Sequence, residues 1–358
     1  MTLTEISYYS RKFLPIGIIV ILVVAILGFG IQLLFLYAKS QSPSSTSPTT
    51  AQLPISPIFD RIKPPVIPDA RRSSEYQLVL DTFDGTANPE QATSAAQVYF
   101  VPQKTASFGF LSKIYLMAQA SGFDTNITQH KLEDKTAVFD DGKRTLRVDI
   151  RNFNFEFDYK LTKDDPLGAA PASLADQTII SQANTYLSAM DRYPPDFSAG
   201  NTNVIYLAFN PETKQVITVD KIEGANIAEV DYYSPDLNGY PVVTSTYYNS
   251  PDFVMVLLNG DQQKVIQSKV SYFDRSEDQV GIYPLKTPQQ AWDELQSGKG
   301  YVVSSEVPAG KMTIKKVFIG YYNPDVYQEY VQPVYVFLGE QKFVAYVPAV
   351  SSEYLIEP

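Results

Sequence analysis

The 358-residue chain has no cysteine and only one histidine and one tryptophan. Without cysteine it has no disulfide, no thiolate metal ligand, no cysteine nucleophile and no lipid-modified cysteine. A single histidine, His130, excludes a histidine-rich zinc site. It would also be the only base for a Ser-His-Asp triad, and no G-x-S-x-G motif supplies the serine. Stability outside a membrane must therefore come from packed apolar cores.

Basic residues are fewer than acidic ones, 29 against 39, and the formal net charge is −10. This balance argues against nucleic acid as a partner, because phosphates would be repelled. Calcium is not indicated, since no D-x-D-x-D-G loop is present. Adjacent carboxylates occur at three places: Asp140 with Asp141, Asp164 with Asp165, and Asp293 with Glu294. Adjacent acids are usually solvated, whereas hydrolases use carboxylates from separate elements.

Charge is absent from residues 13–37, a run of 25 predominantly apolar residues. As a helix this run would be about 38 Å long, enough to cross a bilayer. The sequence predicts a single transmembrane helix at 13–38 after a cytoplasmic tail at 1–12, because Arg11 and Lys12 precede the run. A cleaved signal peptide is the alternative, but its apolar region would be roughly 7–15 residues long.

Residues 39–72 are rich in proline, serine and threonine. Prolines at this density exclude a helix or a central strand and predict a semi-extended stalk. Ile55, Ile58 and Phe59 within it form either a small docking motif or part of a plain spacer.

Periodicity predicts a first α+β domain at 73–165. Strands are expected at 76–80 and 97–101 and a helix at 108–121, with Ser107 as its N-cap. A hairpin around 140–143 leads to residues 153–159, where aromatic and polar residues alternate. Such alternation predicts an antiparallel sheet with one buried face.

A second α+β domain is predicted at 170–358. It should open with a helix from about residue 174 to 190 and contain a short helix that starts at Pro288 and is capped by Thr287. Antiparallel strands are expected at 204–209, 215–219, 227–233, 242–248, 253–258, 265–273, 312–322, 331–338 and 343–347. The fold class is therefore α+β, with antiparallel sheets each packed by one or two helices in two extracytoplasmic units.

Five segments resemble YycH/YycI-type membrane-anchored envelope regulatory proteins. They are 288–300 (PQQAWDELQSGKG), 314–322 (IKKVFIGYY), 332–337 (QPVYVF), 346–349 (YVPA) and 118–123 (AQASGF), the last followed by a meander that ends at 153–159. The resemblance covers about half the chain and implies a single-pass protein that tunes a membrane sensor kinase by contact, without chemistry. A looser resemblance is to PepSY-type modules, which also combine a helix with antiparallel strands.

Tyrosine is abundant, with 25 residues, and occurs as adjacent pairs at 232–233, 247–248 and 321–322. In a strand, adjacent side chains point to opposite faces, so one ring of each pair is expected to be exposed. Exposed tyrosines suit protein contacts. The candidate interaction surface consists of Tyr321, Tyr322, Asn323, Asp325 and Tyr327.

The sequence thus favours a non-enzymatic, membrane-anchored extracytoplasmic protein with no cofactor. Its expected role is a regulatory or scaffolding partner of envelope proteins such as a sensor kinase. Two alternatives stay open: a cell-wall glycan or peptide hydrolase using paired carboxylates, and a ligand-binding sensor domain.

Overall fold

A computed structural model describes residues 54–91, 93–162, 165, 167, 174–259 and 262–356. The predicted cytoplasmic tail, the predicted span at 13–38 and the first part of the predicted stalk lie outside the described residues. Among the residues that are described, no helix is long and apolar enough to cross a membrane. The fold is α+β, with two largely antiparallel sheets and few helices.

Four α-helices lie in the described part of the chain. They are α1 (Phe110–Ala120), α2 (Asp176–Ala189), α3 (Pro195–Ala199) and α4 (Pro288–Gln296). The two predicted longer helices and the predicted helix at Pro288 are therefore present. α4 begins as expected: Thr287 and Gln290 form a capping box, in which each side chain bonds the other's backbone N–H. α1 begins later than expected, with Gly109 rather than Ser107 at its N-cap.

Within the residues that the structure describes, eighteen strands form two sheets of nine. The first half of them comprises β1 (Arg71–Arg72), β2 (Tyr76–Leu80), β3 (Ala95–Phe100), β4 (Lys131–Glu133), β5 (Thr136–Asp140), β6 (Arg144–Asp149), β7 (Phe155–Tyr159), β8 (Asn201–Asn210) and β9 (Gln215–Val219). The second half comprises β10 (Ile227–Tyr233), β11 (Val242–Val243), β12 (Phe253–Asn259), β13 (Gln262–Val270), β14 (Val280–Pro284), β15 (Tyr301–Ser304), β16 (Gly310–Tyr322), β17 (Tyr330–Gly339) and β18 (Val344–Pro348).

The central sheet has the order β4-β5-β6-β7-β13-β12-β10-β8-β9 and is antiparallel throughout. Helices α1, α2 and α3 supply Ile114, Leu187 and Phe197 to the core that covers one of its faces. Phe155, Phe157 and Tyr159 of β7 point into this core while the residues between them are exposed, as the alternation predicts.

The terminal sheet joins strands from both ends of the described chain. Its main order is β1-β15-β18-β17-β16-β11, with β2 also on β16, β3 on β17 and β14 on β3. It is mixed, because β2 and β11 run parallel to β16. Helix α4 packs Ala291, Trp292 and Leu295 against it, and the Trp292 ring lies 5.9 Å from that of Phe337.

Strand pairing divides the chain differently from the predicted units at 73–165 and 170–358. β7, before the expected boundary, pairs with β13 after it, and β2 pairs with β16. The central sheet is thus inserted into the chain of the terminal sheet, and the chain passes between them at 101–109, at 271–279 and on either side of β11, at 234–241 and 244–252. Pairings between strands so far apart leave no local turn signal in the sequence.

The second half of the predicted stalk belongs to the fold. Ser56 bridges to Ile282, and Ile62 bridges to Leu355. Ile62 is completely buried and Ile67 is 6 % exposed, whereas Ile55 and Ile58 are more than half exposed. Residues 54–70 are therefore docked on the terminal sheet, and the isoleucines that dock them are not those singled out from the sequence. Burial of these side chains offsets the cost of ordering a segment that the prolines already restrict.

Three local expectations also differ. The strand expected at 242–248 is only the two residues of β11, because Tyr247 adopts a positive φ of 61°. Phe153 lies in the turn before β7, also at a positive φ, rather than in the strand. Strands β1, β4, β14 and β15 were not expected, since they are short or lack clear alternation.

Candidate functional site at the junction of the sheets

The first two residues of the candidate surface, Tyr321 and Tyr322, both lie in the core. This corrects the expectation that one ring of the pair is exposed. Tyr321 and Tyr322 end β16 and are each 1 % exposed. The Tyr321 ring packs edge-on against Tyr99 at 6.0 Å, and the Tyr322 ring lies 6.2 Å from Tyr346. Both faces of this strand end are covered because residues 234–247 fold back over it, with β11 paired to Tyr321 and Tyr322.

Tyr327 is the most exposed member of the candidate surface, being 37 % exposed beside Val326 at 45 %, whereas Asn323 and Asp325 are partly buried. Its hydroxyl donates to the Val101 carbonyl oxygen at 3.0 Å, and its ring lies 5.9 Å from that of Phe273. Val101 lies in the first crossing between the sheets, 101–109, and Phe273 in the last, 271–279. The loop 323–329 is therefore held against these two crossings, and Tyr327 marks the junction.

A groove of about 560 Å³ runs beside Tyr327. Its aromatic floor comes from Phe100, Tyr327 and Tyr330, and Phe59 packs behind it with its ring 5.1 Å from that of Tyr330. Polar groups on its rim are those of Lys63, Gln103, Gln328, Glu329 and Gln332. Apolar rings flanked by amide donors and acceptors suit an extended protein segment.

Two glutamine side chains hold the docked proline segment along this groove. The Gln328 amide accepts from Val66 N–H at 3.0 Å and donates to Val66 O at 2.5 Å, as a neighbouring strand would. Gln332 Nε2 donates to Lys63 O at 2.9 Å. The Val66 side chain is left 61 % exposed at the groove. The chain thus binds one of its own extended segments here through hydrogen bonds between glutamine side chains and the backbone of that segment.

A buried polar cluster lies on the other side of the 323–329 loop. Asp252 is 3 % exposed, and Ser271 N–H donates to its Oδ1 at 2.6 Å. Arg192 lies nearby and donates to Asn154 at 2.7 Å. Asp325, from the loop, faces the same cluster with a buried Oδ1 that has no partner among the described residues.

Burial raises the pKa of Asp252 to about 6. The Ser271 N–H and the charges of Arg192 and Lys269 act in the opposite direction, and the charge of Asp325 adds to the rise. Asp252 and Asp325 are carboxylates from different elements that influence each other, an arrangement that the adjacent acids in the sequence do not have.

A second buried acid pair lies on β10. Asp231 is completely buried, and its Oδ2 accepts from Tyr233 Oη at 3.2 Å and from Ser250 N–H at 3.4 Å. Its Oδ1 has no hydrogen-bond partner among the described residues, and Glu229 lies two residues away on the same face of the strand. Burial first, and then the charge of Asp231, raise the pKa of Glu229 to about 7.

The other residues weighed from the sequence have structural partners. His130 Nδ1 lies 3.2 Å from Tyr115 Oη, and its half-buried ring packs 5.8 Å from that of Phe139. Asp141 accepts from Lys143 and Arg144 backbone N–H groups in the β5–β6 turn.

The other two pairs of adjacent acids, at 164–165 and 293–294, also include a residue with a structural partner. Asp165 accepts from Tyr159 Oη at 2.6 Å, and Glu294 is paired with Lys286 at 2.8 Å. Asp164 lies outside the described residues. In the part of the chain that the structure describes, no three Asp, Glu or His side chains are arranged to hold a metal ion.

Sequence reasoning found Tyr327 but missed the other groove residues, because they come from three distant segments, 63–66, 100–103 and 327–332. The signal that could have found them is the pair of isoleucines, Ile62 and Ile67, in a segment otherwise typical of a spacer. Asp252 carried no signal, since a lone aspartate before a strand is ordinary in sequence.

Comparison with known proteins assigns no family. No protein-family model matches the chain, and no curated protein matches it. Among solved structures, an uncharacterized protein from Eubacterium rectale ATCC 33656 is similar at 12% identity, with 80% of this chain and 90% of that chain covered and a TM-score of 0.38. At that score the likeness carries no argument about fold or function.

Proposed function

We propose that this is a membrane-anchored, extracytoplasmic binding protein that acts without chemistry as a regulatory or scaffolding partner of an envelope protein such as a sensor kinase. The observation that carries the proposal is the groove beside Tyr327. Its aromatic floor and amide rim already hold one extended segment of the chain through Gln328. A partner segment running alongside Val66 would meet the same kinds of groups.

The proposed anchor is the second part of the proposal. A span at 13–38, joined to the described fold by residues 39–53, would keep the protein at the same membrane as an envelope partner.

The test is site-specific photo-cross-linking of the full chain in its native membrane. A photoreactive amino acid at Val66, which lines the groove, should capture one identified envelope membrane protein. The matched control carries it at Phe83, which is fully exposed and does not line the groove. A second control replaces residues 13–38 with a cleavable signal peptide, and capture should fall because the partner is no longer held nearby.

Tyr327→Ala, combined with the probe at Val66, should weaken capture because it removes part of the groove floor. Identical sets of proteins captured from Val66 and Phe83 would contradict the proposal. So would capture of cell-wall fragments alone from Val66.

One observation favours a second candidate, hydrolysis of a cell-wall glycan or peptide. Asp252 and Asp325 are carboxylates from different elements, and the pKa of Asp252 is raised to about 6, which suits a general acid. A hydrolase of this kind would release soluble fragments from purified cell wall, and Asp325→Asn would abolish the release. Equal, background release by the wild type and Asp325→Asn would remove this candidate.

A further inference from the structure

Strand β9 is an exposed apolar edge of the central sheet. It is five residues long, pairs on one side with β8, and forms the end of the sheet order. Val216 is 53 % exposed and Ile217 is 59 % exposed, and they point to opposite faces. Such an edge offers unpaired backbone groups together with apolar side chains to an added strand.

The opposite edge of the same sheet is protected. β4 has only three residues, and charged Lys131 and Glu133 flank Leu132. Short, charged edges discourage pairing with another chain. The five residues of β9 contain neither proline nor charge. The difference makes β9 the edge of this sheet at which a strand can be added.

We propose that β9 is a homodimerisation edge, at which a second copy of this chain adds its own β9 antiparallel, about a two-fold axis at Ile217. In this register Ile217 lies opposite Ile217 of the second copy, and Val216 lies opposite Thr218. A closed two-fold interface uses the same surface on both copies and leaves no free edge to propagate.

The charges that flank the strand favour the antiparallel orientation. Lys214, in the turn at a positive φ of 54°, precedes β9, and Asp220 follows it. Antiparallel pairing centred on Ile217 brings the lysine end of each β9 to the aspartate end of the other. Parallel, in-register pairing would instead bring lysine to lysine and aspartate to aspartate, which is unfavourable. Charge complementarity therefore favours a second copy in the antiparallel arrangement.

The groove next to this edge adds apolar surface for the second copy to cover. It has a volume of about 460 Å³, and Phe209, Val216 and Ile227 contribute to its lining. Because Val216 belongs to both the groove and the edge, a strand added to β9 would lie beside the groove. This second apolar surface is separate from the groove beside Tyr327.

The test uses disulfide formation, because the chain has no cysteine of its own. In the proposed register the two Ile217 Cβ atoms lie about 4.5–5.5 Å apart, near the distance that a disulfide spans. Gln215 lies on the same face of the same strand but is displaced from Gln215 of the second copy by four residues, about 13 Å. Full-length Ile217→Cys in its native membrane should therefore shift to a disulfide dimer under mild oxidation, and Gln215→Cys should stay monomeric.

Three outcomes would overturn the proposal. They are no dimer with Ile217→Cys, equal dimer with Gln215→Cys, and a cross-link from Ile217→Cys to a different protein only. A second measurement needs no cysteine: the mass of the full chain in detergent should be that of a dimer and should shift to monomer with Ile217→Lys. Phe83→Lys, a control at another exposed site, should remain dimeric, and a monomeric wild type would also overturn the proposal.

Discussion

The two nine-stranded sheets are built in different ways. The central sheet is antiparallel throughout, and most of its strands pair with neighbours in the chain. The terminal sheet is mixed and joins residues such as Tyr76 and Gly310 that are far apart in sequence. The central sheet has a linear order that ends in the exposed edge β9, whereas the terminal sheet is branched: its main order ends in the two-residue strands β1 and β11, and β2 and β14 branch off it. Local pairing gives a linear sheet with an exposed apolar edge, and distant pairing gives a branched sheet with the groove beside Tyr327.

This contrast raises the question of whether the sheets unfold together. We expect one cooperative transition, because the central sheet is inserted into the terminal one and the crossings at 101–109 and 271–279 are tied to the 323–329 loop through Tyr327. Phe157→Ala, in the central core, should destabilise the whole fold by about 3–5 kcal/mol through the cavity it leaves. Fluorescence of Trp292, in the terminal core, and far-UV circular dichroism should report the same urea midpoint.

The control for this prediction is Phe337→Ala, in the terminal core, which should lower both midpoints in the same way. Separate transitions, with Trp292 unaffected by Phe157→Ala, would show instead that the sheets are independent domains.

The docked proline segment provides the next test, since it belongs to the terminal sheet and has no counterpart on the central one. Ile62→Ala should cost about 2–4 kcal/mol, because Ile62 is completely buried. Ile58→Ala, four residues earlier at 56 % exposure, should change stability by less than about 0.5 kcal/mol. Urea unfolding measures both, and limited proteolysis of Ile62→Ala should cut between residues 54 and 70. Equal costs for the two variants would mean that the segment is not docked.

On the central sheet, Glu229 should make stability depend on pH. Its pKa is raised to about 7 in the folded state from about 4.5, so the folded protein holds an extra proton between these values. Its contribution to stability is therefore largest below pH 4.5 and is lost as pH rises to 7. Glu229→Gln should be more stable than the wild type by on the order of 1–2 kcal/mol above pH 7, allowing for solvent screening.

Thermal unfolding between pH 5 and pH 8 checks this prediction, with exposed Glu75→Gln as the control. Parallel pH profiles for the wild type and Glu229→Gln would contradict the raised pKa of Glu229.

The contrast between the sheets also explains how much the sequence could predict. The strands at 76–80, 215–219 and 227–233 coincide with β2, β9 and β10, because alternation and turn residues are local signals. Which strands pair was visible only for hairpins such as β5–β6. The pairing of β7 with β13 rests on packing between distant segments. The same limit applied to the candidate site: Tyr327 was found, but Tyr321 and Tyr322 were placed at the surface because nothing local reveals the fold-back of residues 234–247.

Helix caps show the same limit of sequence-based prediction for single residues. Thr287 caps α4 on the terminal sheet, with its side chain accepting from Gln290 N–H, whereas Ser107 has no capping bond to α1 on the central sheet. Thr287→Ala should therefore destabilise the protein by about 1 kcal/mol, and Ser107→Ala by less than about 0.5 kcal/mol. Urea unfolding of the two variants measures the difference. A cost for Ser107→Ala equal to that for Thr287→Ala would mean that α1 begins at residue 108, as its sequence alone indicates, and that the turn before Phe110 is helical in solution.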